Sequence, residues 1–262
     1  MPSDAVHPFR ITVDDLGLYR GVETSVLELA ASGLVLNCSW VTNYYAPSQA
    51  YMSVRNLRSG LHFNILEGRS ELKAKSLTGG DGYFNRSWPE FLLPSRRMRA
   101  DVEAELEYQL EKVCEWFGGV SHFDSHLHVH GIPWIYKLVR SKQERYGFEH
   151  IRNPYQPFSD YWSGDPRVII LWLLHLGTRS NVEPCFGIKP LFQMSPEHCL
   201  KIMRKSPREF IWHPVHGEDQ LEPGHYRFLE ASQITLRREE HHRLKEFLSM
   251  LRGLAEPVES PA

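Results

Sequence analysis

Cysteine is scarce in this chain: four residues in 262, Cys38, Cys114, Cys185 and Cys199, far apart and without a CxxC pair. That spacing argues against a cysteine zinc site and reads as buried free thiols in a reducing compartment. Long apolar runs are missing too. The longest, VIILWLLHL over residues 168–176, is far shorter than the roughly 20 residues that span a bilayer and is expected to form a buried helix. There is no charge excess: the formal net charge is -2, which offers no broad basic surface to nucleic acid. The opening MPSDAVHPFR has no apolar signal core. The expectation is a soluble cytoplasmic protein with no nucleic-acid partner and no membrane insertion. The sequence shows no internal repeat and no low-complexity tract.

What is present is an ordinary globular balance, 42% hydrophobic and 24% charged. A length of 262 residues suits one large α/β domain or two small ones. FRITVDD, residues 9–15, alternates like a strand and carries Asp14 and Asp15 at its end. A helix with Val22, Val26 and Leu29 on one face follows and stops at Gly33. LVLNCSWVTN, residues 34–43, predicts a second strand, and a third ends at GLHFNI, residues 60–65. Residues 69–94, rich in glycine and proline, predict a long loop that is more functional than idle. Residues 95–118 carry an apolar stripe, Met98, Val102, Leu106, Leu110, Val113 and Phe117, and predict the clearest helix. HFDSHLHVH, residues 122–130, reads as a strand, followed by a helix from about Pro133. FEHIR, residues 148–152, and FIWHP, residues 210–214, read as strands, and residues 233–252 as a final amphipathic helix. Strands alternating with helices imply a mostly parallel sheet, whose C-terminal strand ends carry the site.

The polar residues gather at those ends. Adjacent side chains on a strand point to opposite faces, so one of Asp14 and Asp15 can bind a metal while the other faces substrate or water. An acidic turn capping the next helix is the plainer reading of that pair alone. Asp124, His126, His128 and His130 share one parity, so in a strand they would share one face. Such a face is costly to bury unless it binds something, and imidazole is a common metal ligand. His128 and His130 could instead support ligands by hydrogen bonds. His62, between Leu61 and Phe63, suits a core histidine as well as a ligand, with Asn64 at the same parity. His213 precedes Pro214, and Arg152 ends its strand beside a proline turn, where it could grip a carboxylate by two hydrogen bonds, although a structural histidine and a surface arginine are the plainer readings of each alone.

VDDLGL, GLHFN, DSHLHVHGIP, the IR before NP, and WHP occur in that order. In this the chain resembles the YdjC-like carbohydrate deacetylase family, which includes the chitooligosaccharide deacetylases, from about residue 11 to residue 250. Residues 1–8 read as a flexible N-terminus and GLAEPVESPA, residues 253–262, as a disordered tail. The resemblance implies a distorted TIM-like β/α barrel with mostly parallel strands, a single domain over residues 9–252. It implies one divalent metal ion, Mg2+ or Zn2+, with Asp15, His62 and His126 as ligands and Asp14 as catalytic base. It also implies a late histidine, His213, as acid or oxyanion stabiliser, and Arg152 as support for the acidic pair. The implied substrate is an N-acetylated sugar, and the chain could form a homodimer. The chain departs from the family pattern at Thr12, Val13 and Leu16 around the aspartates and at Val215 and His216 after the late His-Pro. Those changes bear on substrate identity, as do the FNRSWPEF loop (84–91), Tyr44, Tyr45, Tyr155 and Trp162. A metal-dependent phosphoesterase, with His128 and His130 serving a second metal, and a non-catalytic sugar-binding barrel are the alternatives.

Overall fold

The computed structural model describes residues 9–153, 173, 185–186, 195–203, 208–217 and 231–255. In chain order its elements are β1 (Phe9–Leu16), α1 (Arg20–Ala30), β2 (Leu36–Trp40), α2 (Gln49–Met52), β3 (Leu57–Phe63), α3 (Arg96–Phe117), β4 (His122–Ser125), α4 (Pro133–Tyr146), β5 (His150–Ile151), β6 (Cys185–Phe186), α5 (Pro196–Met203), β7 (Arg208–Trp212) and α6 (Ala231–Ala255). Short 3-10 turns lie at Trp88–Phe91 and His126–Gly131.

The strands form one seven-stranded sheet in the order β5-β4-β3-β2-β1-β7-β6, and every neighbouring pair is parallel. Parallel pairing sends all C-terminal strand ends to one edge, which is where the expected site residues sit. The sheet curls. Four strands separate β5 from β7 in the sheet order, yet Arg152 Nε, just past β5, donates to Glu209 Oε1 of β7 at 2.9 Å. His150 Nε2 reaches Glu209 Oε2 at 3.1 Å. This is the distorted TIM-like α/β barrel expected, open along one side among the described residues.

Period-2 alternation gives the curled sheet two different faces. Ile11, Val13, Cys38, Trp40, Leu61, Phe63, Phe123, Phe210 and Trp212 are buried among the helices. Their neighbours Thr12, Asp14, Asn37, Ser39, His62, His122, Asp124 and Glu209 are buried on the inside of the curl. A buried polar face survives only if its groups are bonded to one another, and they are. Thr12 Oγ1 donates to Glu209 Oε1 at 2.8 Å, Ser39 Oγ to Asp124 Oδ2 at 2.5 Å, and Asn37 Nδ2 to the Ile11 carbonyl at 3.3 Å.

α3 shows the local logic of the outer layer. Ser95 Oγ accepts from the Met98 amide at 3.1 Å, and Gly118 closes the other end at φ 75°. Met98, Val102, Leu106, Leu110 and Val113 are buried; a fully buried aliphatic side chain contributes about 1.5–3 kcal/mol. Glu105 and Gln109 lie buried on the same helix. Gln109 bonds both the amide and the carbonyl of Asn64, at 3.0 and 2.7 Å, and Glu105 accepts from Ser70. They pin the loop that leaves β3. Asn64 is therefore spent on the backbone: its Oδ1 accepts from the Leu66 and Glu67 amides at 3.0 and 3.1 Å.

Several expectations need correction. The strand expected over 122–130 ends at Ser125, because Leu127 and His128 adopt left-handed conformations, φ 49° and 55°. Asp124, His126, His128 and His130 therefore do not share a strand face. The second strand is shorter than expected, Leu36–Trp40, and the loop over 69–94 contains the 3-10 turn at Trp88–Phe91. The final helix runs through Ala255, so the first residues of the expected tail are helical; the rest of that tail and residues 1–8 lie outside the described residues. So does the run at 168–176, apart from Leu173, which is helical and 55% exposed. Cys38 and Cys199 are buried free thiols, both pushed up to about 12 by burial. Among the described residues no helix is long and apolar enough to cross a membrane.

Gly17 closes the functional end of β1. At φ +78°, an added Cβ would lie 2.2 Å from the Val41 carbonyl oxygen. Gly33 has a similar φ, +76°, with nothing within 4 Å of the same position. Gly33→Ala is expected to lose about 1–2 kcal/mol, the strain of a left-handed alanine. Gly17→Ala should lose roughly 2–5 kcal/mol, since a backbone collision is added to that strain. Urea midpoints at unchanged m value measure the difference; equal losses would show that the Val41 contact does not constrain the turn.

Candidate metal centre and active site

The two adjacent aspartates reach one site because β1 is irregular there. Val13 pairs with Cys38 and Leu16 with Trp40, so β1 carries one residue too many between the two pairs. Asp15 takes up the extra length at φ 64°. Non-glycine residues in that region are uncommon and are held there by surrounding structure. Here the Leu16 carbonyl accepts from the Val41 amide at 2.7 Å, and the Asp15 carbonyl from the Leu18 amide at 3.1 Å.

Asp15 Oδ1 lies 3.3 Å from His62 Nε2 and 3.2 Å from His126 Nδ1. One ligand atom from each of these three buried residues falls within 4.8 Å of the others. Ligand bonds of about 2.0–2.2 Å put neighbouring ligand atoms about 3.0–3.4 Å apart, so the two measured separations suit donors to one ion. The far nitrogens are also appropriate. His62 Nδ1 meets Asp124 Oδ1 at 2.5 Å, so in the neutral ring Nε2, which faces Asp15, carries the lone pair. His62 and Asp124 are register partners on β3 and β4. His126 Nε2, buried, faces Glu67 Oε2 at 3.1 Å. Each imidazole is thus backed by a carboxylate, the support that metal-binding histidines usually have. Asp14 stands beside the trio, its Oδ2 3.9 Å from His62 Nδ1.

The electrostatics agree with this donor set. Burial disfavours a charged His62, but Asp14 and Asp124 outweigh it and raise the ring to about 10. Burial likewise opposes charge on His126, and Asp15 and Glu67 raise it to about 9. The surrounding carboxylates thus favour positive charge on both rings. Burial would also raise Asp15, but the Arg237 guanidinium and hydrogen bonds from both rings hold it well below the carboxylate range. Arg237 Nη1 donates to Asp15 Oδ2 at 2.8 Å, so Oδ1 alone faces the imidazoles.

Arg152, wholly buried, holds Asp14 by two hydrogen bonds, Nη1 to Oδ2 at 2.6 Å and Nη2 to Oδ1 at 2.7 Å. The same Nη2 lies 2.7 Å from Asp124 Oδ2, and Nε bonds Glu209. Burial still wins at Asp14, whose carboxyl is raised despite Arg152. At Asp124 the order reverses: burial raises it, while Arg152 and His62 hold it well below the usual range. His213 is half-buried at the rim, Nε2 3.9 Å from Asp14 Oδ2, its amide held by Glu240 Oε1 at 2.7 Å. The structure thus brings Asp14, Asp15, His62, His126, Arg152 and His213 together.

His130 has no place among the ligand atoms. Its Nε2 meets the Arg152 carbonyl at 2.8 Å, so Nε2 carries the proton and Nδ1 accepts from Ser125 Oγ. It positions the backbone of Arg152. Sequence reasoning missed Glu67, Glu209 and Arg237. Glu67 sits in a loop, Glu209 lies one residue before the strand was expected to start, and Arg237 falls in the charged run LRREEHH. Tyr44 packs over Gly68 and Tyr45 under the Arg20 guanidinium, 4.4 Å from the ring centroid. Tyr155 and Trp162 lie outside the described residues.

The model of the YdjC-like protein family matches residues 9–253. The chain belongs to that family. It is 33% identical over 139 residues to a protein named carbohydrate deacetylase from Geobacillus stearothermophilus, covering 52% of this chain and 56% of that one. A chitooligosaccharide deacetylase from Yersinia enterocolitica is 31% identical over 141 residues, covering 50% and 53%. A carbohydrate deacetylase from Homo sapiens is 29% identical over 153 residues, covering 55% and 47%. The chain thus matches about half the length of these relatives. A solved structure from Enterococcus faecalis V583, described as a "putative cellobiose-phosphate cleavage protein", superposes with TM-score 0.67 at 18% identity, covering 95% of this chain and 96% of that one. That likeness supports the fold alone.

Two buried histidines give the site's surroundings a pH signature. Burial lowers His122 and His130 to about 4, whereas an unfolded histidine titrates near 6.5. Between those values the unfolded chain binds more protons, so stability falls as pH drops from about 6.5 to 4, by up to about 3 kcal/mol per ring. Asp14, raised in the fold, acts in the opposite sense in the lower part of that window. In chelator-treated protein, urea midpoints are expected to decline through this range, and less so in His122→Asn. A His122→Asn profile as steep as the wild type's would mean that His122 is not held neutral in the fold.

Proposed function

We propose that this chain is a metal-dependent hydrolase that removes the acetyl group from an N-acetylated sugar. The observation that carries the reading is the convergence of Asp15, His62 and His126 beside the clamped carboxylate of Asp14. It is supported by membership of the YdjC-like family and by relatives named for carbohydrate deacetylation.

Asp15 Oδ1, His62 Nε2 and His126 Nδ1 would hold the ion. Two nitrogens and one oxygen suit zinc better than magnesium, which favours oxygen ligands. When bound, a divalent ion polarises an acyl carbonyl and acidifies water. Asp14 accepts the proton of the attacking water. Its raised carboxyl lies closer to a working pH than a solvated aspartate would, and Arg152 fixes both of its oxygens. Arg152 is itself fully buried, so it positions Asp14 and does not touch substrate. His213, at the rim, donates a proton to the departing amine. Water's oxygen leaves in acetate, and the sugar keeps the free amine.

A two-metal phosphoesterase would need a second ion near the first. Asp14, His62 and Asp124 also offer atoms within 4.8 Å of one another. Arg152 already spans Asp14 and Asp124 at 2.6–2.7 Å, so a fixed guanidinium takes that position, and His130 is engaged elsewhere. This favours the mononuclear reading.

Acetate release across a panel of N-acetylated sugars, with metal content measured on the same samples, tests the assignment. Asp14→Asn, folded and fully loaded, is expected to lose roughly 10²–10⁴-fold in turnover, the usual worth of a general base. Asp15→Asn should lose metal affinity first, with excess metal restoring part of the activity. His213→Ala should keep the metal and lose more rate on the amide than on an activated ester, whose leaving group needs no proton. Wild-type turnover by loaded Asp14→Asn would remove Asp14 as the base, and unchanged metal binding in His126→Ala would remove the proposed ligand set.

A further inference from the structure

A second cluster of metal-type donors lies on the outer side of the fold, built from α1, the segment after β7, and α6. Glu28, His216 and His241 each offer one ligand atom, and these atoms lie within 4.8 Å of one another. His241 Nε2 is 3.2 Å and His216 Nε2 3.5 Å from the same oxygen, Glu28 Oε2. The two rings stack at 4.7 Å between centroids, inclined by 29°. His241 is 1% exposed and bonded through Nδ1 to Ser25 Oγ at 2.7 Å, so its orientation is fixed from behind. His216 is 46% exposed, so the cluster opens to solvent.

An ion pair alone accounts poorly for this arrangement. Two stacked rings cannot both be charged without repulsion, yet both present Nε2 to one carboxylate oxygen. Lys245 satisfies the other oxygen, Nζ to Oε1 at 2.5 Å, and leaves Oε2 to the imidazoles. On the same helix the His242 ring lies edge-on to His241 at 5.4 Å, and Arg238 Nη2 donates to the Gly217 carbonyl at 3.0 Å.

We propose that Glu28, His216 and His241 form a second divalent-cation site, distinct from the Asp15–His62–His126 centre, that takes zinc or a similar imidazole-preferring metal. Two nitrogens and one carboxylate oxygen leave at least one coordination position to water. Its location gives it a role. The His216 amide donates to the Gly21 carbonyl at 2.9 Å and the Val215 amide to the Arg237 carbonyl at 3.1 Å. Metal bound here ties α1 and α6 to the strand segment that carries His213, and α6 carries Arg237 and Glu240. The site is a clamp on the helix that completes the active centre.

The test uses the full chain, stripped with chelator and titrated with zinc chloride. His216→Ala, at an exposed ring, and Glu28→Gln are each expected to bind one zinc fewer per chain than wild type, or to weaken that equivalent roughly tenfold or more; partners that merely orient a ligand are worth about 10–100-fold. His62→Ala should keep this equivalent while losing the other, and zinc should raise its Tm; adding His216→Ala should abolish that rise. Unchanged stoichiometry and affinity in His216→Ala would overturn the proposal, whatever the fate of the first centre. A cobalt spectrum in the His62→Ala background that is insensitive to His216→Ala would overturn it equally.

Discussion

The interior of the curled sheet is organised around one guanidinium. Arg152 is completely buried and meets Asp14, Asp124 and Glu209, from β1, β4 and β7, at 2.6–2.9 Å. Burying a charge without partners is prohibitive, and removing one partner of a buried pair typically costs about 3–5 kcal/mol. The strands that supply the carboxylates are therefore held to the geometry that Arg152 requires. The ordinary TIM interior is packed with aliphatic side chains; this one is closed by charge. Two neutral histidines serve the same group: His130 fixes the Arg152 carbonyl, and His122, through Ser39 Oγ at 2.9 Å, supports Asp124.

That constraint gives two neighbouring aspartates opposite characters. Asp14 faces the guanidinium but remains dominated by burial, so its carboxyl is raised. Asp15 faces Arg237 and two imidazoles and is held anionic. One residue of difference in sequence would ordinarily send the pair to opposite faces of the sheet. The extra residue in β1 and the left-handed Asp15 cancel that separation, and Gly17 lets the chain turn away beneath the Val41 carbonyl. Two carboxylates of opposite character can sit side by side only because the strand breaks its own period at that point.

The parallel architecture was legible from the alternation of strand-like and helical runs, and the long stripe of α3 marked its helix within a residue or two. So were the polar strand ends. What misled was parity. HFDSHLHVH alternates like a strand to its last residue, yet the chain leaves the sheet at His126 and turns through Leu127 and His128 in left-handed conformations. Leu127 gives no local sign of this, and histidine, although enriched in that region among non-glycine residues, does so too weakly to mark the turn. The outcome sends His126 to the donor cluster and His130 behind Arg152, two roles that a flat strand face would have merged. Glu67, Glu209 and Arg237 were invisible for a different reason. Each is an ordinary charged residue in its own neighbourhood, and its importance comes from a partner 59, 57 or 222 positions away in sequence.

The last of those separations matters for how the site forms. The donor cluster starts at residues 14 and 15, but Asp15 Oδ2 is neutralised by Arg237, and the His213 amide by Glu240, both on α6. Until that helix docks, Asp15 Oδ2 lacks its guanidinium and the His213 backbone lacks its anchor. Leu244, Phe247 and Leu248 bury α6 in the same cluster as Val13, Val22 and Trp212. Apolar docking therefore delivers the charged residues: packing energy accumulated along the helix sets Arg237 beside a carboxylate that could not otherwise be buried alone. Long-range closure of this kind is slow to reach because loop entropy comes before the contacts. The complete electrostatic site is thus a property of the closed fold and not of any strand end by itself.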